Sequence, residues 1–139
     1  MNAIKLHRIG NYFHRNRIKL FAKLIDGLIF FIYNSYIPSS STIGEGSKFA
    51  YKGIGVVIHS RAKIGKNCLI GQNITIGGKD GDLNPPIIGH NVYIAAGARI
   101  IGDITIGSNC IIGANAVVNK SFPANTVIAG IPAKKIKDV

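Results

Sequence analysis

The stretch VIHSRAKIGKNCLIGQNITIGG, residues 57–78, returns an isoleucine every six positions, at Ile58, Ile64, Ile70 and Ile76. The same count resumes at Ile88 and runs through Ile94, Ile100, Ile106, Ile112 and Val118. The residue after each head is mostly small: Gly65, Gly71, Gly77, Gly89, Ala95, Gly107, Gly113. The residue four after it is small or aliphatic, as at Ala62, Cys68, Ile74, Val92, Ala98, Ile104, Cys110 and Ala116. A short strand that supplies one inward aliphatic and then turns a corner crowded by the neighbouring coil satisfies all three constraints. Three such sides close a coil of about 18 residues, and stacked coils pair as parallel strands. The pattern therefore predicts an all-β solenoid, a parallel β-helix of hexapeptide repeats. Cys68 and Cys110 then read as small interior residues rather than a disulfide, a metal pair or a catalytic thiol.

Two places break the count. Ile43 and Ile58 are out of phase by three residues, so an irregularity lies within Lys48–Val57. The segment 77–86, GGKDGDLNPP, takes the room of one hexad with the composition of an exposed loop. Ahead of the repeat, residues 3–16 and 17–36 read as two helices. Ile4, Ile9, Tyr12 and Phe13 are predicted to form the apolar face of the first, and Leu20, Leu24, Leu28 and Phe31 that of the second. His7 and His14, seven apart on the first helix, are accounted for by packing or solvent contact. Pro38 and Ser39–Ser41 end the helical segment. The chain divides into N-terminal helices over 1–37, the β-helix over 38–122 with its extruded loop at 77–86, and a C-terminal cap over 123–139.

The 139 residues carry a net charge of +11 and a hydrophobic content of 47%, which suits a small-aliphatic core rather than disorder. The basic side chains concentrate at the two ends, where six in residues 1–37 face the single acid Asp26. Such ends fit an anionic membrane surface or a phosphorylated ligand. Nucleic acid is not expected, because no recognition helix, stacking aromatic pair or zinc-finger spacing is present. The longest apolar run, Leu28–Tyr33, falls far short of the roughly 20 residues needed to span a bilayer, and no signal peptide is read. The expected location is the cytoplasm, with the inner face of the membrane as a further site of contact.

GIGVVIHSRAKIGKNCLIGQNITIGG at 53–78, IGHNVYIAAGARIIG at 88–102 and VIAGIPAKKIK at 127–137 carry a resemblance to the bacterial hexapeptide-repeat O-acetyltransferases, especially their serine acetyltransferase-like branch. The N-terminal helices look more like the short leader of surface-polysaccharide relatives. The resemblance implies left-handed coiling, a homotrimer with sites between adjacent prisms, and acetyl-CoA as co-substrate, with no metal. It further implies cofactor contacts at Gly78, Ala96 and Ala114 through open backbone amides, and at Lys120 and Lys134 through the CoA phosphates.

Acetyl transfer from a thioester needs a base for the acceptor hydroxyl and donors for the oxyanion, held in close register. His59 is the candidate base, since it stands where other heads are followed by Gly or Ala, although Ile101 and Asn119 break that rule too. Asp80, Asp82 and Asn84 in the loop are candidate acceptor contacts, with Glu45 a further carboxylate, and His90 is expected to be exposed. Serine acetyltransferases carry an Asp-His pair where this chain has Tyr51 and Lys52, and a His-Pro in the loop where it has Asn84 before Pro85. The expected reaction is thus transfer of an acetyl group to serine or to a sugar hydroxyl in surface-polysaccharide synthesis. The rival readings are a non-catalytic assembly module and a γ-type carbonic anhydrase-like enzyme, which needs three zinc-binding histidines. Only His59 and His90 lie on the prism.

Overall fold

In the computed structural model, which describes every residue from Met1 to Val139, all ten repeat heads point inward and are buried. The chain is a left-handed parallel β-helix of about four turns, closed at one end by two helices. The first face stacks Thr42–Ile43, Lys63–Ile64, Ile87–Ile88 and Thr105–Ile106. The second stacks Lys48–Phe49, Leu69–Ile70, Tyr93–Ile94, Ile111–Ile112 and Thr126–Gly130. The third stacks Val57–Ile58, Thr75–Gly77, Arg99–Ile101 and Val117–Val118. The register pairs head with head, so Ile58, Ile76, Ile100 and Val118 form one interior column. The positions four after each head, both cysteines included, are buried between them.

The corner residues are small for lack of space. A Cβ on Gly44, Gly65, Gly89 or Gly107 would lie 2.3–2.6 Å from backbone atoms of the next coil, while their φ values are ordinary. A second corner position, three after the head, escaped the sequence reading. There Asn67, Asn73, Asn91, Asn109, Asn115 and Asn125 all adopt the left-handed conformation, with φ between 54° and 61°. Asparagine accepts that conformation more readily than other non-glycine residues. On one corner the carboxamides form a ladder, Asn91 Nδ2 donating to Asn109 Oδ1 at 3.2 Å and Asn109 Nδ2 to Asn125 Oδ1 at 3.0 Å. Gly46, Gly55 and Gly97 hold the same position where the next coil's asparagine already fills the space of a side chain.

The two breaks are localised. Phe49 keeps the count from Ile43, and the three surplus residues before Ile58 are taken up in the four-residue turn Ala50–Gly53. The loop after Thr75–Gly77 leaves at the third–first edge and returns through buried Pro85 and Pro86. At the far end Thr126–Gly130 continues the second face, and Ala133–Asp138 runs back antiparallel along it.

The helices, α1 (Ala3–Arg15) and α2 (Lys19–Tyr33), are shorter at their ends than the predicted 3–16 and 17–36, since Arg17 and Asn34 take positive φ. Helix α1 supplies partners for main-chain carbonyls that have no coil beneath them: Arg8 donates to Ile43 O and Gly44 O, and Asn2 Nδ2 to Phe49 O at 3.0 Å. This close seating explains a correction. Of the predicted face Ile4, Ile9, Tyr12 and Phe13 only Ile4 packs against the core, and partly. Ala3, Leu6, His7 and Gly10 are buried instead, because Ser39 leaves no room for a Cβ at Gly10 and Ser41 meets His7. In α2 the predicted row Leu20, Leu24, Leu28 and Phe31 does share one face, but it faces solvent. Ala22, Ile29 and Tyr33 make the buried side. Helix α2 is apolar nearly all round, so periodicity alone does not choose which side packs.

His14 is exposed, whereas His7 is fully buried, with Nε2 3.1 Å from Ser41 Oγ. Burial, with Arg8 adding repulsion, lowers its pKa from 6.5 to about 4. The unfolded chain therefore binds a proton at higher pH than the folded one, so stability is full above 6.5 and is lost as pH falls toward 4. From pH 7 to pH 5 the unfolding free energy is expected to fall by about 2 kcal/mol on this account. His7→Gln should flatten that dependence in denaturant titrations; an unchanged slope would remove His7 as its source. A glycine-to-alanine change is expected to have opposite signs at a corner and in a helix: Gly107→Ala should cost about 1–3 kcal/mol. Gly27→Ala in α2, with nothing within 4 Å of a new Cβ, should gain about 1 kcal/mol. Denaturation midpoints read both.

Candidate functional site

Parallel stacking at about 4.8 Å per coil turns each corner position into a vertical column. On the third–first edge, the column one after the head holds His59, Gly77, Ile101 and Asn119, and the next holds Ser60, Gly78, Gly102 and Lys120. His59 stands one coil below Gly78, and its ring edge carrying Cδ2 and Nε2 faces that glycine. The half-buried ring accepts the Arg61 backbone N–H at Nδ1, at 3.0 Å. In the neutral ring the proton then sits on Nε2, which is a donor toward Gly78. For Nε2 to take a proton, the ring must let go of the Arg61 amide. Arg61 is exposed, so water replaces that bond at a net cost of about 1 kcal/mol.

The extruded loop is tethered over this edge. Arg61 Nη2 donates to Leu83 O at 2.7 Å, Asp82 Oδ2 accepts the Asp103 N–H at 3.1 Å, and Asn84 Nδ2 donates to Asp103 Oδ2 at 3.2 Å. Asp82 and Asn84 thus hold the loop's shape, while Asp80 is exposed and makes no hydrogen bond. Beneath the loop a groove of about 270 Å³ is lined by Arg61, Lys63, Asn84, Pro85, Ile87 and Asp103.

Ala96 and Ala114 lie on a different edge, the second–third, one directly above the other, with Asn115 N donating to Ala96 O at 2.9 Å. The N–H groups of Ala96, Ala114 and Gly78 have no hydrogen-bond acceptor within the chain. Lys134 pairs with Ala129 in the returning strand, near the top of that same second–third edge. Lys120 sits two coils above Gly78, its ammonium 5.5 Å from the Phe122 ring. The five residues expected to meet CoA therefore divide between two edges with the third face between them. The fold brings His59, Gly78, the loop and Lys120 to one side, and Ala96, Ala114 and Lys134 to the other.

Tyr51 and Lys52 also fall on the second–third edge, in the surplus turn of the first coil, with φ of 46° and 65°. Two consecutive left-handed non-glycine residues cost about 1–2 kcal/mol each, and strain of this kind gathers at functional sites. The three surplus residues were the only sequence signal for it. His90 is exposed on the first–second edge, where its Nδ1 accepts the Lys66 N–H at 2.9 Å. Glu45 lies on that edge too. No three His, Cys, Asp or Glu side chains converge within the chain.

Residues 85–120 match the family described as bacterial transferase hexapeptide (six repeats). The chain is 40% identical over 139 residues to a serine acetyltransferase of Staphylococcus epidermidis, covering 99% of this chain and 65% of the relative. It is 34% identical over 136 residues to one of Synechococcus elongatus, covering 96% and 55%. A solved serine acetyltransferase of Brucella abortus strain S19, in complex with coenzyme A, superposes with a TM-score of 0.93 at 31% identity, over 99% of this chain and 55% of that one. The chain thus spans between about half and two-thirds of the length of the relatives it matches. The loop tethers make their own prediction: Asp82→Ala should speed hydrogen exchange at the Asp103 amide about five- to tenfold, as loss of roughly 1 kcal/mol implies. Unaltered exchange there would mean that the tether carries no load.

Proposed function

Because the chain belongs to the bacterial hexapeptide-repeat transferases, on their serine acetyltransferase-like branch, we propose that it transfers an acetyl group from acetyl-CoA to a hydroxyl, with His59 as general base. The acceptor is serine or a sugar of surface-polysaccharide synthesis. The observation that carries the reading is the pair of unpartnered amides at Ala96 and Ala114, stacked where two successive coils present only small side chains. Such a rail of donors suits the amide-bearing pantetheine arm of CoA, and the Brucella relative binds coenzyme A. Lys120 and Lys134 pair with the phosphates.

Acetyl-CoA supplies the acyl group already activated as a thioester. The Nε2 of His59, once its ring has released the Arg61 amide, takes the proton of the acceptor hydroxyl and returns it to the departing sulfur. The Gly78 N–H is the donor nearest the developing oxyanion. Asp80, Asp82 and Asn84 border the acceptor side, with the groove below the loop as its entrance. The relatives are serine acetyltransferases, which favours serine. Tyr51, Lys52 and Asn84, standing where the resemblance places acid and histidine side chains, weaken serine and keep a sugar open as acceptor.

A single prism keeps the two edges apart, so the reading includes a homotrimer. Packing the first face of each copy against the second face of the next brings one chain's His59 edge to its neighbour's Ala96–Ala114 edge. The second face supports this with an outward apolar column, Leu69, Tyr93, Ile111 and Val127, opposed by Ile87 on the first. The site is then built from two copies, in the cytoplasm, with the N-terminal helices free to meet a membrane surface.

The reaction is read by release of free thiol from acetyl-CoA in the presence of serine and a panel of sugars. His59→Ala should lose at least about 100-fold in rate. His59→Gln, which keeps a donor but takes no proton, should lose as much. Full activity in either variant would remove His59 as the base. Absence of thiol release with every acceptor would remove the acetyltransferase reading itself.

A further inference from the structure

The outward face of α2 is the largest surface feature that acetyl transfer leaves unused. Leu20, Phe21, Leu24, Leu28, Phe31 and Ile32 are all exposed, Leu20 by 68% and Phe31 by 88%. At 3.6 residues per turn they share an arc of about 120°, opposite the buried Ala22, Ile29 and Tyr33. Lys23 lies nearest that arc, Lys19 stands further round toward Asp26, and Arg15 and Arg17 precede the helix. The only acid in residues 1–37, Asp26, is turned inward, where Oδ1 accepts the Ser39 N–H at 2.8 Å. The face is therefore wholly apolar and carries no carboxylate, with Lys23 beside it and the arginines at its leading end.

We propose that this face docks on an anionic lipid bilayer, with α2 lying flat in the boundary between headgroups and acyl chains. The 15-residue helix is about 22 Å long, and no helix of the chain is long and apolar enough to cross a membrane. Apolar side chains entering the boundary from one side of a helix, with lysines and arginines at headgroup level, are the arrangement of an interfacial helix. Each cation near such a surface adds an attraction that salt screens. A second copy of this chain is a poorer occupant, because it would bring Lys23 and the arginines toward their like with no acid on the face to pair them. Docking by one helix does not rest on acetyl transfer. In the proposed trimer three such helices share one end of the assembly, and binding by one raises the effective concentration of the others.

The test is co-sedimentation of the full chain with vesicles of phosphatidylcholine alone or with about a third phosphatidylglycerol, beside the double variant Leu24→Glu, Phe31→Glu. Both positions are exposed, so the variant should keep its thermal midpoint and its thiol release with soluble acceptors. The expected result is binding of the native chain to the anionic vesicles, weakened by salt, and at least tenfold weaker binding by the variant. Equal binding by the two proteins would overturn the proposal. So would failure of the native chain to bind anionic vesicles, including the case where it self-associates through this face and the variant does not. Thiol release that persists while docking fails, or the reverse, separates this inference from the acetyltransferase reading.

Discussion

Coil-to-coil hydrogen bonding sets almost everything else in this molecule. Each short strand donates to the carbonyls of the coil above or below, as His59 N does to Ile76 O and Gly65 N to Ile88 O, both within 2.9 Å. That spacing is a property of the main chain and is the same at a corner as in a strand. At the corners it leaves no volume for a Cβ, so Gly44, Gly65, Gly89 and Gly107 follow from the ladder rather than from any demand for unusual backbone angles. Inside, the same spacing stacks one isoleucine on the next without a gap, at the close-packed density of protein interiors. A side chain placed out of rhythm is felt in the adjoining coils as well as in its own.

This uniformity is why the architecture was legible. A six-residue count survives in sequence because inward head, corner and second interior position are each under a steric constraint that few residue types meet. The heads, both cysteines and the two irregular stretches were readable for that reason. The asparagines three after each head were passed over, since they mark a backbone conformation and not a hydropathy. The side of α2 that packs was illegible for a different reason: Leu24 and Ile29 are equally apolar, and what decides between them is the small Ala22 and the inward Asp26–Ser39 bonds. Assignment of residues to edges also needed the fold. Gly78, Ala96 and Ala114 all sit two after a head, yet the extruded loop, which takes one hexad out of the stack, puts Gly78 on a different edge from the two alanines.

The exceptions to the rhythm gather where the proposed chemistry would lie. His59 replaces a small corner residue, the loop over 77–86 adds a hexad that belongs to no face, and Tyr51 and Lys52 hold strained angles in a turn of surplus residues. None of these helps to stack coils, and each occupies an edge that the prism leaves open. The chain resembles serine acetyltransferases closely in backbone, with a TM-score of 0.93, at an overall identity of only 31%. Scaffold and site are thus separable here: the ladder tolerates any edge residue that stays outside the stack.

The returning strand Ala133–Asp138 has a consequence for the solution behaviour of the protein. A parallel stack has no intrinsic end, and its last rung offers a full row of unpaired amides and carbonyls to any other rung. Here the second face finishes on an antiparallel strand bearing Lys134, Lys135 and Lys137, and the opposite end is covered by α1 and α2. Antiparallel direction breaks the repeat, and the lysines repel an identical terminus. On this face the last coil thereby offers no parallel template for a further copy, which disfavours growth end to end into fibres.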